Sequence, residues 1–148
     1  MKYMVMPAPG RILALDVGLR RIGRAISDPL GVTAQGLPTL LRQNMALDLA
    51  ALCADARNYD ISLWLLGLPL LPSGERGTQV ARVEELGARL QQASSRPVEF
   101  WDERFTSVMA EQVLREAGLS RHKRRQANDK LAAVLILQSY LERARSAL

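Results

Sequence analysis

The segment Arg11-Ile12-Leu13-Ala14-Leu15-Asp16-Val17 decides how the rest of the sequence is interpreted. Its apolar run predicts a buried β-strand, and Asp16 lies late in that strand. An ionised carboxylate removed from water loses several kcal/mol unless a cation or hydrogen bonds compensate. A bound metal ion is the simplest compensation. The alternative, from the residues alone, is an aspartate that accepts the turn amides of Gly18 and Leu19.

Two further acidic positions follow or open apolar segments. Asp102 and Glu103 end a predicted strand, and they point to its opposite faces, so periodicity does not say which one reaches a site. Asp129 comes one turn before Ala133 on the apolar stripe of a predicted helix. The alternative for Asp129 is an acid in the first helical turn, favoured by the helix dipole. Three acids on three separate elements indicate a metal-dependent catalytic site.

Length, charge and cysteine content limit the possible classes of protein. The 148 residues fit one domain, which we expect over 11–148 after a short flexible leader at 1–10. No apolar stretch reaches the ~18 residues of a membrane helix, and the one cysteine, Cys53, excludes an internal disulfide. These features fit the cytoplasm. A net charge of +5 suggests nucleic acid as a partner, although it also serves solubility.

Turn signals and hydrophobic periodicity predict an α/β fold. The predicted strands are an antiparallel meander at 11–17, 22–28 and 32–40, a central parallel strand at 61–66 and a fifth strand at 97–103. The predicted helices cover 44–58, 106–118 and about 126–145, with Asn44 as a cap and Gly118 as an exit, and a further amphipathic helix carries Val80, Val83, Leu86 and Leu90. Strands separated by helices imply a five-stranded mixed sheet with helices on both faces.

Oxygen ligands without histidine are the set that Mg²⁺ and Mn²⁺ prefer. Two such ions ~4 Å apart can activate water and stabilise the leaving oxygen in an attack on a phosphodiester. Asp28 is excluded from this site, because a hairpin about residues 19–20 places it near Arg11, roughly 15 Å from Asp16. We expect Asp28 to be a turn residue or a partner for Arg11.

Basic residues lie close in sequence to the acids. Arg20 and Arg21 follow Asp16 and would either hold a phosphodiester backbone or form an exposed turn. The stretch 121–125 precedes the helix of Asp129, and we expect it to contact phosphate rather than to form a solvated turn. Its basic members are Arg121, Lys123, Arg124 and Arg125.

Four motifs then occur in a fixed order. They are Asp16-Val17-Gly18-Leu19-Arg20-Arg21-Ile22-Gly23 with Ser27-Asp28-Pro29, Gly67-Leu68-Pro69-Leu70, Asp102-Glu103-Arg104-Phe105-Thr106, and the helical run from Asp129 to Leu141. Together they resemble the YqgF family, also called RuvX, known as pre-16S rRNA nucleases or Holliday-junction resolvases. The resemblance extends from about residue 11 to residue 141.

This resemblance implies a ribonuclease H-like fold in which Asp16, Glu103 and Asp129 are the catalytic acids and bind two Mg²⁺ or Mn²⁺ ions. It favours Glu103 over Asp102, which would be structural or support a neighbouring basic residue. Arg104 and Lys130 lie in the same motifs and are added to the residues expected to contact nucleic acid.

Two positions depart from the pattern of the family. Arg24 stands where the family usually has an aliphatic residue, which suggests an edge residue or a substrate contact. Leu71-Pro72-Ser73 replaces a typical Asn-Met-Asp.

The implied function is a metal-dependent nuclease that acts on structured nucleic acid. We favour 5′-end processing of pre-16S rRNA, with pre-ribosomal particles as partners and the protein acting as a monomer or homodimer. One alternative is a resolvase of Holliday junctions or other branched DNA, which should dimerise because it cuts two symmetric strands. A second is a non-catalytic RNA-binding assembly factor. A phosphotransferase of the actin/hexokinase type would need two domains, which 148 residues do not provide.

Overall fold

The computed structural model describes residues 10–104 and 121–146, without the side chains of 121–129, 145 and 146. Within this part of the chain, five strands form one sheet and three helices pack against it. The strands are β1 (Arg11–Val17), β2 (Arg21–Ser27), β3 (Ala34–Leu41), β4 (Ile61–Leu68) and β5 (Val98–Asp102). The helices are α1 (Met45–Asn58), α2 (Thr78–Ser94) and α3 (Arg121–Ser146).

The sheet has the order β3-β2-β1-β4-β5, with β1 in the centre. β1 and β3 are both antiparallel to β2, whereas β4 is parallel to both β1 and β5. This arrangement confirms the predicted sheet of three antiparallel strands followed by parallel ones. β1 is apolar on both of its faces because it lies in the centre of the sheet and helices cover it from both sides.

Two hydrophobic cores lie on the two faces of the sheet. Leu13 and Leu15 of β1 belong to the core that α1 and α2 cover, and Ile12 and Ala14 belong to the core that α3 covers. Side chains alternate along a strand, so Asp16 shares the α3 face with Ile12 and Ala14. Ala133 of α3 is fully buried in that second core, and such a small side chain lets the helix approach the sheet closely.

Most predicted elements are confirmed to within two residues, and the predicted start of the last helix is wrong. β4 continues through Leu68, two residues beyond its predicted end, so Gly67 belongs to the strand. α3 begins at Arg121, so the basic stretch 121–125 is its first turns rather than a connection before it. Residues 121–128 contain no glycine or proline, and the arginines and lysine among them favour a helix.

Two predicted segments fall outside the described residues: the helix at 106–118 and, apart from Gly10, the leader. The division of the chain at residue 10 therefore stays a prediction. No helix within the described ranges is long and apolar enough to cross a membrane.

Arg24 is not an edge residue. It lies in β2, which is flanked by β3 and β1, and its guanidinium forms an ion pair with Asp55 of α1. Its Nε also donates to the carbonyl of Pro38 at 2.8 Å. The side chains of Arg24 and Asp55 are only 13% and 20% exposed, so this pair replaces an apolar contact between sheet and helix.

We expect Asp55→Ala to lower the free energy of unfolding by roughly 2–4 kcal/mol, because it leaves the Arg24 charge half-buried without its partner. The double variant Arg24→Leu/Asp55→Leu should recover most of this loss, since it removes both charges together. Urea denaturation measures both. Glu85→Ala, which breaks the exposed Glu85–Arg89 pair on α2, is the control, and an equal cost for Asp55→Ala would contradict the interpretation.

Candidate active site

Asp16 and Glu103 come together at one edge of the sheet. The register pairs Leu15 with Leu66 between β1 and β4, and Gly67 with Trp101 between β4 and β5. The ends of these three parallel strands therefore lie side by side. Glu103 follows β5 directly, and its carboxyl group is close enough to that of Asp16 to share a hydrogen bond.

Gly67 makes room for Glu103 between the strands. A Cβ on Gly67 would overlap Oε2 of Glu103 and would lie 2.7 Å from Cδ1 of Ile136 in α3. The backbone amide of Glu103 also donates to the carbonyl of Leu68 at 3.3 Å, which fixes the chain as it leaves β5. The sequence marked this glycine as part of a motif, but only the structure gives its reason.

The surroundings of Glu103 disfavour its ionised form. Burial, followed by the negative charge of Asp16, a hydrogen bond with Asp16 and the charge of Asp102, raises the pKa of Glu103 to about 8. Oε2 of Glu103 is buried and has no hydrogen-bond partner within the described part of the chain. Two neighbouring carboxyl groups do not both ionise readily without a cation. This arrangement, with its hard oxygen donors, fits Mg²⁺ or Mn²⁺.

The alternative explanation for Asp16 was a turn that satisfies its carboxylate. The Gly18 amide instead donates to the carbonyl of Arg21 at 2.9 Å and closes the β1–β2 turn. The part of the turn alternative that relies on the Gly18 amide is therefore wrong.

Asp129 lies on α3, eight residues after the helix begins, and its side chain is outside the described set. The dipole of a helix acts within its first turn, so the alternative explanation for this acid is wrong. The next residue, Lys130, lies over β3, where a Cβ on Gly36 would be 2.7 Å from its Cγ. Leu141, later in α3, lies near Gly31, which follows the C-terminal end of β2, and this end is the one away from Asp16. α3 therefore runs back along the sheet, and position 129 lies towards the edge that holds Asp16.

Among the described side chains, no group of three acidic, histidine or cysteine residues gathers into a metal site. The structure thus brings two of the three predicted acids together, and the participation of Asp129 stays a prediction.

Asp102 points away from this pair and holds Arg104. Its Oδ2 accepts a hydrogen bond from Nε of Arg104 at 2.8 Å and forms an ion pair with Nη2 at 2.6 Å, and its Oδ1 accepts the Arg104 backbone amide at 3.0 Å. The side-chain hydrogen bond from Arg104 is the main cause that lowers the pKa of Asp102. Asp102 therefore supports a neighbouring basic residue, as the resemblance implied.

Asp28 is a turn residue, as predicted. Its Oδ1 accepts the amides of Val32 and Thr33 at 2.7 and 2.6 Å, and its Oδ2 accepts the amide of Leu30 at 3.1 Å. These bonds, led by the one from Thr33, lower its pKa. The turn lies at the edge of the sheet opposite to Asp16, as the β1–β2 register requires.

The remaining predicted basic residues are only partly described. Arg20 is exposed in the β1–β2 turn, Arg21 begins β2, and the exposed Lys130 passes over β3. The side chains of Arg121, Lys123, Arg124 and Arg125 lie outside the described set.

Sequence reasoning missed Arg42, which follows β3. Its Nε donates to the buried Asp48 at 3.1 Å and its Nη1 to the carbonyl of Gly18 at 3.1 Å. It therefore lies at the same end of the sheet as Asp16. A basic residue between a strand and the cap of the next helix was the only signal in the sequence.

The sheet order and the solved structures that resemble the chain define a ribonuclease H-like fold. The Thermus thermophilus RuvC structure matches with a TM-score of 0.55 and 12% identity, over 90% of this chain and 95% of that chain. The fowlpox virus Holliday junction resolvase matches with a TM-score of 0.56 and 13% identity, over 90% of this chain and 99% of that chain.

The sequence gives a narrower assignment. The model of the RuvX family, described as Holliday junction resolvase, matches residues 10–143, and the chain belongs to this family. A relative from Koribacter versatilis is 54% identical over 134 residues, which cover 90% of this chain and 88% of the relative. One from Moorella thermoacetica is 50% identical over 133 residues, which cover 90% and 95%. Each of the two is named "Putative pre-16S rRNA nuclease".

We expect Glu103→Gln to stabilise the metal-free protein at high pH. The pKa of Glu103 is raised from 4.5 to about 8, so its contribution to stability is full below pH 4.5 and is lost as the pH rises towards 8. Glutamine carries no charge, and its amide can donate to Asp16. The free energy of unfolding in EDTA should rise by ~1–3 kcal/mol at pH 9 and by much less at pH 5.

Urea denaturation at the two pH values measures this difference. Glu85→Gln, an exposed change on α2, is the control and should have the same small effect at both. An effect of Glu103→Gln that does not depend on pH would contradict the assignment.

Proposed function

We propose that the chain is a divalent-metal-dependent nuclease that processes the 5′ end of pre-16S rRNA during ribosome biogenesis in the cytoplasm. The observation that best supports hydrolysis is the half-buried Asp16–Glu103 pair, in which the buried Oε2 of Glu103 lacks a hydrogen-bond partner among the described residues. Membership of the RuvX family supports a nuclease, and the names of the relatives favour rRNA as the substrate.

In this proposal Asp16 and Glu103 hold one Mg²⁺ or Mn²⁺ ion, and Asp129 completes the site of a second. The bound cations supply Lewis acidity to a phosphodiester oxygen and lower the pKa of the attacking water. Gly67 leaves the space that Glu103 occupies, and the covering α3 excludes water from one side of the pair.

Basic residues on both sides of the acids would hold the phosphates of the substrate. Arg104 is the best positioned, because Asp102 fixes its guanidinium and leaves further N–H groups for an oxygen ligand. The other residues proposed to contact nucleic acid are Arg20, Arg21, Arg121, Lys123, Arg124, Arg125 and Lys130.

Resolution of Holliday junctions is the second candidate, because it is the activity in the description of the family. Such an enzyme cuts two symmetric strands and would act as a dimer. A non-catalytic assembly factor is less favoured, since it would gain nothing from two neighbouring carboxyl groups that do not both ionise readily.

We expect Asp16→Asn to reduce metal-dependent cleavage by at least about 100-fold, because it removes a charged ligand. The wild type and the variant are incubated with precursor rRNA 5′ ends, single-stranded RNA and a four-way DNA junction, each with Mn²⁺, Mg²⁺ or EDTA. The matched control is Asp28→Asn, which alters a turn acid at the opposite edge of the sheet and should retain activity.

The preferred substrate in this experiment decides between rRNA and branched DNA. Tight binding by the wild type without cleavage under any metal would overturn the nuclease proposal and favour the assembly factor.

Arg104→Gln should weaken binding and decrease the slope of log K against log salt by about 1, because one phosphate contact is lost. Fluorescence anisotropy with labelled RNA at several salt concentrations in EDTA measures the slope. Arg89→Gln removes an exposed arginine from α2 and should leave the slope unchanged. Equal slopes for the two variants would exclude Arg104 from the interface.

A further inference from the structure

A groove lies beside the proposed active site, at the ends of β1 and β3. It has a volume of about 590 Å³ and opens to solvent. We call it the Arg42 groove; its lining residues are Leu19, Arg20, Leu41, Arg42, Gln43, Asn44, Met45 and Asp48. None of these residues except Arg20 is among those already proposed to contact nucleic acid.

Arg42 is held rigidly in this groove. Its backbone amide donates to the Arg20 carbonyl at 2.8 Å, and its side chain donates to Asp48 and to the Gly18 carbonyl, both at 3.1 Å. Asp48 is 3% exposed, and its second oxygen accepts the Gln43 amide at 3.0 Å. Asp48 thus neutralises the charge of Arg42 but fixes its guanidinium. Among the described contacts Nη2 has no partner, so it is available to a ligand.

The rest of the lining combines positive charge with exposed apolar surface. Arg20 is exposed beside Arg42, so two guanidinium groups face the same space as Leu19 and Leu41, which are 62% and 68% exposed. Phosphate oxygens suit the guanidinium groups, and the faces of sugars or bases suit the leucines.

The groove and the acid pair lie at the same end of the sheet, where α1 borders the groove and α3 covers the face that carries Asp16. Gly18, whose carbonyl holds Arg42, is two residues after Asp16, or ~7 Å along an extended chain. A nucleic-acid strand crossing this edge of the sheet would meet the groove on one side of the acids and Arg104 on the other.

We propose that the Arg42 groove binds the sugar-phosphate backbone of the substrate strand next to the bond that is cleaved. This inference rests on the proposed function, and it adds a subsite on the β3 side of Asp16. The negative charge of phosphate, rather than a particular base, is what the groove selects.

Substitutions of Gln43 should test the groove without disturbing the fold. The side chain of Gln43 is exposed, and its contact with Asp48 is made by the backbone amide. Gln43→Lys should tighten binding of a labelled single-stranded RNA about 3–10-fold in EDTA, and Gln43→Glu should weaken it by a similar factor. The slope of log K against log salt should change by about 1 in opposite directions. The same two changes at Gln92, exposed near the end of α2 at the other edge of the sheet, are the matched controls.

The outcomes separate the groove from the proposed function. If the Gln43 and Gln92 variants behave alike while the wild type binds and cleaves RNA, the groove is not a subsite and the nuclease proposal stands. If the wild type neither binds nor cleaves, both proposals fail. If Leu41→Ser abolishes self-association without changing RNA affinity, the groove is a contact between copies of the chain and the proposal is overturned.

Discussion

The proximity of the Asp16 and Glu103 carboxyl groups is the constraint on which the rest of the structure depends. Burial, and after it the negative charge of Asp16, disfavours the ionised form of Glu103 and raises its pKa to about 8. Other features of the fold keep the two carboxyl groups together. The central strand β1 is buried on both faces, Gly67 leaves space for Glu103, and Ala133 lets α3 approach the sheet closely. We interpret the instability as the preparation of a cation site, since a divalent ion would relieve it.

The basic side of the site follows a second principle, in which aspartates fix arginines. Asp102 holds Arg104 at the β5 side, and the buried Asp48 holds Arg42 at the β3 side. In each pair a carboxylate reduces the net charge but removes the rotational freedom of a long side chain. Less conformational entropy is then lost when a phosphate binds. The two pairs stand on opposite sides of the acids, an arrangement suited to a strand that runs along the edge of the sheet.

Much of the fold could be predicted from the sequence, because local patterns encode it: continuous apolar runs for central strands, alternation for faces, and Asn44 as a helix cap. The cost expected for a carboxylate late in an apolar strand also indicated Asp16 as a candidate ligand. The choice between Asp102 and Glu103 needed the family resemblance, since alternation alone assigns them to opposite faces. Gly67 and Arg42 could not have been explained, because their partners are 36 and 24 residues away in sequence and meet only in the folded sheet. The start of α3 was misjudged because a basic run was taken for a connection, although its residues favour a helix.

The most direct test of the central claim is a crystal structure of the protein soaked in Mn²⁺, with anomalous diffraction used to locate the ion. The account predicts an anomalous peak ~2–2.3 Å from carboxylate oxygens of both Asp16 and Glu103, with Oε2 of Glu103 among the ligands. Glu103→Gln crystals, treated in the same way, should lack the peak. Mn²⁺ bound only elsewhere, with the two carboxyl groups still sharing a proton, would contradict the account.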